Sequence, residues 1–111
     1  MNQMMDIRSL FDIDGKAERV TEVAELLKAM ASESRLKILC LLTDEGELSV
    51  NALADYTGQT ASSISQHLSK LRSVGLVESR RDAQTIYYRT REGIGTDLMN
   101  VLCAHFKPGT H

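Results

Sequence analysis

A mainly helical domain with one β-hairpin, in the order ααααββα, is what this 111-residue sequence predicts. Three observations carry the prediction. Apolar residues recur at helical spacing in four segments between residues 16 and 74. The period shortens over 76–89, where β-branched and aromatic residues gather, and becomes helical again from residue 92. Residues 1–15 read as a flexible lead-in that ends at Gly15.

The first helix spans Lys16 to Met30, with Val20, Val23, Ala24, Leu27 and Met30 at helical spacing. Ser32 caps a second helix in which Leu36, Leu39, Cys40 and Thr43 share a face, and Asp44-Glu45-Gly46 ends it. Ser49 caps a short third helix with Val50, Leu53, Ala54 and Tyr56 inward. Thr57-Gly58-Gln59 makes a tight turn, with Gly58 free to take positive φ. Thr60 caps a fourth helix that runs to Val74, and Gly75 stops it. Leu76–Arg80 and Thr85–Arg89 form the hairpin, with Arg81-Asp82-Ala83-Gln84 at its tip. A last helix runs from Glu92 to Phe106, with Ile94, Leu98, Val101, Leu102 and His105 aligned, and Pro108 follows. Residues 108–111 read as a tail.

A short helix, a glycine-containing turn and a second helix make a helix-turn-helix, and a hairpin directly after it makes the winged form. The fourth helix, with "TASSISQHLSKL" at residues 60–71, carries four serines after its capping Thr60. Serine is a middling helix former, so its crowding here needs a reason. At about 100° per residue, Ile64, Leu68 and Leu71 form an inward stripe and Ser62, Gln66 and Ser69 lie opposite. Ser63 and Lys70 flank that outer face on one side and Ser65 on the other. Short polar side chains let a helix sink into the DNA major groove, where hydroxyls and glutamine bond base edges. Ser62, Ser63 and Gln66 are expected at base edges. Thr60, Ser65, His67 and Lys70 are expected at phosphates, with the helix N-terminus favouring an anion. His67 sits at the edge of the buried stripe. Arg80, Arg81 and Gln84 bracket the hairpin tip, where arginines meet the DNA backbone or minor groove. Val77, Ile86 and Tyr88 are expected to lean on the helices, leaving Tyr87 more exposed.

Charge distribution agrees. The net charge is −2, but residues 60–91 hold six basic residues against two acidic ones, a local surplus of +4. A basic segment in an acidic chain is an electrostatic footprint for phosphate. The longest apolar run, Ile38 to Leu42, is too short to span a membrane, and residues 1–15 show no secretory pattern. A cytoplasmic location is expected, where two cysteines are ordinarily thiols. The one enzymatic arrangement to weigh is Cys103 with His105, two apart on a helix and therefore pointing apart, a poor nucleophile–base pair. No enzyme activity and no cofactor are expected.

"LLKAMASESRLKILCLL" followed by "ELSVNALADYTGQTASSISQHLSKLRSVGLVESRRDAQTIYY" resembles the ArsR/SmtB family of bacterial winged-helix repressors, over roughly residues 20 to 106. "SQHLSKLR" with "GLVESRRDAQTIYY" is most like the branch that holds a nodulation repressor, a virulence regulator and sulfide-responsive repressors. The resemblance implies that residues 16–107 form one DNA-binding and dimerisation domain. It implies a homodimer joined through its first and last helices, a recognition helix at 60–73 and a wing at 76–89. Such a dimer reads a pseudo-palindromic operator with half-sites about one helical turn apart.

The resemblance also bears on what is sensed. The family's thiolate metal site needs cysteines where this chain has Glu47-Leu48-Ser49-Val50-Asn51. Its last-helix zinc site needs an Asp-x-His pair and a later histidine pair; here Glu92 and His105 are what remain, with His111 a spare. No metal site is expected. Cys40 in "LKILCLL" matches the first cysteine of the sulfide-responsive group, whose second cysteine follows an aromatic near the chain end. Lys107 holds that place, and Cys103 lies four residues earlier, about 6 Å along a helix. A polysulfide bridge tolerates such an offset better than a disulfide, which needs Cα atoms about 4.4–6.8 Å apart. The resemblance thus implies a repressor released by reactive sulfur or other oxidants through Cys40 and Cys103. Three alternatives stay open: a repressor with no chemical sensor, a metal-responsive repressor, and a winged-helix module that binds protein.

Overall fold

The computed structural model describes residues 18–106. These form five helices and a small sheet: α1 (Glu18–Met30), α2 (Glu33–Glu45), β1 (Leu48–Ser49), α3 (Val50–Thr57), α4 (Ala61–Ser73), β2 (Val77–Asp82), β3 (Thr85–Thr90) and α5 (Ile94–Phe106). The expected lead-in at 1–15, the first helix's start at Lys16 and the tail at 108–111 lie outside the described residues. None of the described helices is long and apolar enough to cross a membrane.

The starts of α2, α3 and α4 follow from hydroxyl caps. The side-chain oxygens of Ser32, Ser49 and Thr60 accept from the backbone N–H groups of Arg35, Ala52 and Ser63 at 3.3, 3.1 and 3.0 Å. Gly58 ends α3 at φ 73°, ψ 11°, and its N–H donates to the Ala54 carbonyl. This left-handed residue swings the chain from α3 into α4 within three residues, which creates the helix-turn-helix.

The core gathers around α2. Ile38, Leu39 and Leu42 meet Leu53 of α3, Ile64, Leu68 and Leu71 of α4, then Leu76, Val77 and Met99. The inward stripe expected for α4 is therefore fully buried. Other stripes are rotated from expectation. In α1, Leu26, Ala29 and Met30 are buried while Ala24 and Leu27 are exposed. In α2, Ile38 and Leu42 go inward with Leu39, and Cys40 is exposed. Tyr56 of α3, expected inward, is exposed as well.

The last helix shows the reason for one such rotation. Gly95 is buried against Leu76, where an added Cβ would lie 3.2 Å from both the Leu76 carbonyl oxygen and Cδ2. That close approach turns Met99 into the core and leaves Ile94 and Val101 each 55% exposed. Of the expected stripe, Leu98 and Leu102 pack against the core, while Ile94, Val101 and His105 point away from it.

The sheet has the antiparallel order β1-β3-β2. β1, absent from the sequence-based reading, pairs Leu48 with Tyr88 and Ser49 with Tyr87. Two residues show no alternation, and Ser49 was already spent as a cap. The hairpin is longer than expected, running to Asp82 with a two-residue tip, Ala83-Gln84. Ala83 takes φ 58°, a left-handed conformation that costs a non-glycine residue roughly 1–2 kcal/mol. Val77 is buried and Tyr88 packs against the core, as expected. Ile86 does not lean on the helices: it lies past Tyr88 toward the tip, beyond the core's reach, and is exposed.

Candidate nucleic-acid interface

Helix α4 presents a continuous polar surface. Ser62, Ser65, Gln66, Ser69 and Lys70 are exposed, opposite the fully buried Ile64, Leu68 and Leu71. Burying those three anchors fixes the roll of the helix, so the same polar side chains always face outward. Lys70 and Arg72, exposed in the last turn, stabilise the helix C-terminus, and the N-terminal turn carries no acidic residue that would repel a phosphate.

The N-terminal turn is tied down. Thr60 Oγ1 accepts the Ser63 N–H, and the Ser63 hydroxyl donates to Gln59 Oε1 at 3.1 Å. Gln59 Nε2 donates in turn to Ser34 Oγ at 3.2 Å. Ser63 is therefore half-buried and engaged, where the sequence suggested a free base reader. Gln59, which sequence reasoning passed over, bridges α2 to α4. Its i, i+4 spacing to Ser63 was the available signal. His67 is half-buried beside Leu68 and makes no side-chain hydrogen bond among the described residues.

At the wing, Arg81 and Gln84 are exposed, and Arg81 has no ion pair among the described residues. Arg80, expected as a free cation, is instead engaged. Its Nε and Nη2 donate to the two carboxylate oxygens of Glu47, both at 2.7 Å, and its guanidinium lies 4.9 Å from the Tyr87 ring centre. The Arg80 hydrogen bond, opposed by partial desolvation, holds the Glu47 carboxyl below the usual carboxylate range. The pair is separated by 33 residues, so no local pattern announces it. Arg89 is likewise paired, with Glu78 at 2.8 Å. Tyr87 is half-buried, less exposed than expected, because it carries the Arg80 guanidinium.

On another face, α2 and α5 enclose an apolar groove of about 750 Å³ lined by Leu36, Cys40, Asp44, Met99, Cys103 and Phe106. Cys40 is exposed at its edge, Cys103 is half-buried, and both are free thiols. Desolvation by the groove walls pushes the Cys40 thiol up, and the charges of Cys103 and Asp44 push it further the same way. The thiolate is the reactive form, so these causes lower the share of Cys40 that is ready to react at neutral pH. Asp44→Asn removes one of the three causes. It is expected to speed alkylation of Cys40 at pH 7, with the gain shrinking as pH rises and the thiolate saturates. Peptide-resolved mass spectrometry of iodoacetamide labelling across pH checks this; equal rates at pH 7 would refute it. Among the described residues, no three His, Cys, Asp or Glu side chains gather as a metal site.

Comparison with known proteins agrees with this geometry. Residues 32–79 match the family described as "Bacterial regulatory protein, arsR family". The biofilm growth-associated repressor of Xylella fastidiosa (strain 9a5c) is 37% identical over 107 residues, covering 96% of this chain and 93% of that protein. Reduced HlyU from Vibrio cholerae superposes with TM-score 0.76 at 37% identity, covering 88% of this chain and 99% of that one. The homodimeric winged helix-turn-helix DNA-binding domain of Mb0332 from Mycobacterium bovis does so with TM-score 0.73 at 36% identity, covering 82% and 87%. With its polar recognition helix, basic wing and this likeness along nearly its whole length, the chain belongs to the ArsR family and is a DNA-binding transcriptional regulator on a winged helix-turn-helix.

Proposed function

We propose that the chain is a homodimeric repressor that leaves a pseudo-palindromic operator when reactive sulfur oxidises Cys40 and Cys103. One observation carries the sensing half: both thiols line the same groove between α2 and α5, near enough for Cys103 to disfavour the Cys40 thiolate. The dimer is supported by apolar residues that the protomer leaves outside, Leu27 on α1 and Ile94 and Val101 on α5, each more than half exposed. It is further supported by the homodimer of the Mb0332 domain. Ser62 and Gln66 read base edges. Ser65, His67, Lys70, Arg81 and Gln84 meet the DNA backbone, and Thr60 and Ser63 hold the N-terminal turn of α4 against a phosphate.

The chemistry balances with an organic persulfide as oxidant. The Cys40 thiolate attacks the outer sulfur of R–S–SH; that S–S bond breaks, RS⁻ leaves and takes a proton, and Cys40 becomes a persulfide. The Cys103 thiolate then attacks the Cys40 sulfur and expels HS⁻, which is protonated to hydrogen sulfide. Two thiols are oxidised to one disulfide, and the sulfane sulfur is reduced to sulfide. A bond between α2 and α5 pulls on both the core helix and the helix bearing the outward stripe, which shifts the two recognition helices off their half-sites.

The test is fluorescence anisotropy at one salt concentration on duplex DNA from upstream of the gene, comparing reduced with persulfide-treated protein. Tight binding when reduced and a loss of at least tenfold after treatment are expected, with intact mass falling by two hydrogens. Cys40→Ser and Cys103→Ser are each expected to bind like the parent and to resist release. Equal binding in both thiol states would sink the switch and leave a regulator controlled by abundance.

A further inference from the structure

The wing carries two adjacent arginines, and the fold treats them differently. In the β2–β3 register Arg80 stands opposite Tyr87 and Glu78 opposite Arg89, all on one face of the hairpin. Arg81 stands opposite Ile86 on the other face. Glu47 lies in the turn between α2 and β1 and takes the Arg80 guanidinium through two bonds of 2.7 Å. The Tyr87 ring covers the same guanidinium at 4.9 Å. One planar group thus ties together the start of β1, the middle of β2 and the middle of β3. Two parallel bonds plus a ring contact set both position and plane, which a lysine ammonium cannot do.

The location matters mechanically. An isolated two-stranded hairpin is marginal, and β1 adds only two residues to it. The side of β3 that faces β1 is held through Leu48–Tyr88 and Ser49–Tyr87, immediately beside Glu47. Beyond that seam only the pairs Arg81–Ile86 and Asp82–Thr85, joined to each other and not to β1, carry the chain to the Ala83-Gln84 tip. A brace at Arg80 therefore fixes the angle at which the tip, with Arg81, leaves the body.

We infer that Arg80 is a positioning residue for DNA binding: clamped by Glu47 and Tyr87, it sets the wing's angle, and Arg81 is the cation that the wing offers to phosphate. The Nε–Nη2 edge of Arg80, the edge best shaped for a bidentate phosphate contact, is already taken by the Glu47 carboxylate, and Nη1 lies 3.9 Å from the Asp82 carboxylate. The donors of Arg81 have no ion-pair partner among the described residues.

Salt titration of affinity for a fixed duplex separates the two roles, because each phosphate contact adds about 0.9 to the slope of log K against log [salt]. Arg81→Ala is expected to lower the slope by about 0.9. Arg80→Ala and Arg80→Lys are both expected to weaken binding about two- to five-fold at every salt concentration, the scale of an exposed ion pair, with the slope unchanged. Glu47→Gln is expected to weaken it similarly, and the exchanged pair Glu47→Arg with Arg80→Glu to recover most of the loss. A phosphate role for Arg80 would show the opposite pattern: a slope reduced by about 0.9 in Arg80→Ala and near-parent binding in Arg80→Lys. That pattern, or tighter binding in Glu47→Gln because a freed Arg80 reaches DNA, overturns the inference. Glu47→Gln keeps the size and shape of its side chain and Arg80→Lys keeps the charge and most of the aliphatic stem, so the comparison survives if the alanine variant folds poorly.

Discussion

Leu68→Ala is expected to lower the free energy of unfolding by about 2–5 kcal/mol. Leu68 is fully buried at the middle of α4, between Ile64 and Leu71 on the stripe that seats the helix on the core. Truncation removes apolar area and leaves a cavity that the neighbouring α2 and α3 side chains fill poorly, because their own positions are set by other contacts. The loss is large against the total of about 5–15 kcal/mol typical of a domain this size. Urea unfolding at one fixed protein concentration measures it as a lower midpoint with an unchanged slope. Leu68→Met, which keeps the volume, is expected to cost less than about 1.5 kcal/mol. If alanine and methionine cost the same, the seat of α4 is softer than the packing indicates. Affinity for operator DNA should fall in the alanine variant even where it remains folded, since the roll of the polar face depends on that anchor.

Gln66→Ala should cost about 1–3 kcal/mol of discrimination, or roughly five- to 150-fold in affinity for the operator over unrelated duplex. Gln66 is exposed on the face opposite the buried stripe, and its carboxamide can donate and accept in one plane toward an adenine. Its side chain is neutral, so the salt slope should not change. The measurement is competition binding with operator and scrambled duplexes of equal length. A uniform loss on both sequences would place Gln66 at the DNA backbone and remove it from sequence reading. Lys70→Ala supplies the contrast, with expected weakening on both duplexes and a smaller salt slope.

Local signals were legible wherever one residue type answered one local need. The caps Ser32, Ser49 and Thr60 and the left-handed Gly58 are all where sequence reasoning put them, because a helix terminus is satisfied by neighbours within a few residues. The inward stripe of α4 was legible for the same reason. β1 was not, since a two-residue strand exists only through its pairing with residues some forty positions later. The rolls of α1, α2 and α5 were not either. Their sequences contain more apolar residues than the chain's own core buries, and the choice among stripes is made by contacts such as Gly95 on Leu76.

The same division runs through the functional surface. By itself the sequence determined the helix-turn-helix, the outward serines and glutamine of the fourth helix and the presence of two thiols on two separate helices, since each follows from periodicity and short-range hydrogen bonding. Only the tertiary structure decided which of those polar groups are available. It engaged Ser63 with Gln59 and Arg80 with Glu47, left Gln66 and Arg81 open, and brought Cys40 and Cys103 to one groove with Asp44 beside them. Availability depends on partners that are distant along the chain and adjacent in space, and such pairs exist only after the core has set the distances between helices.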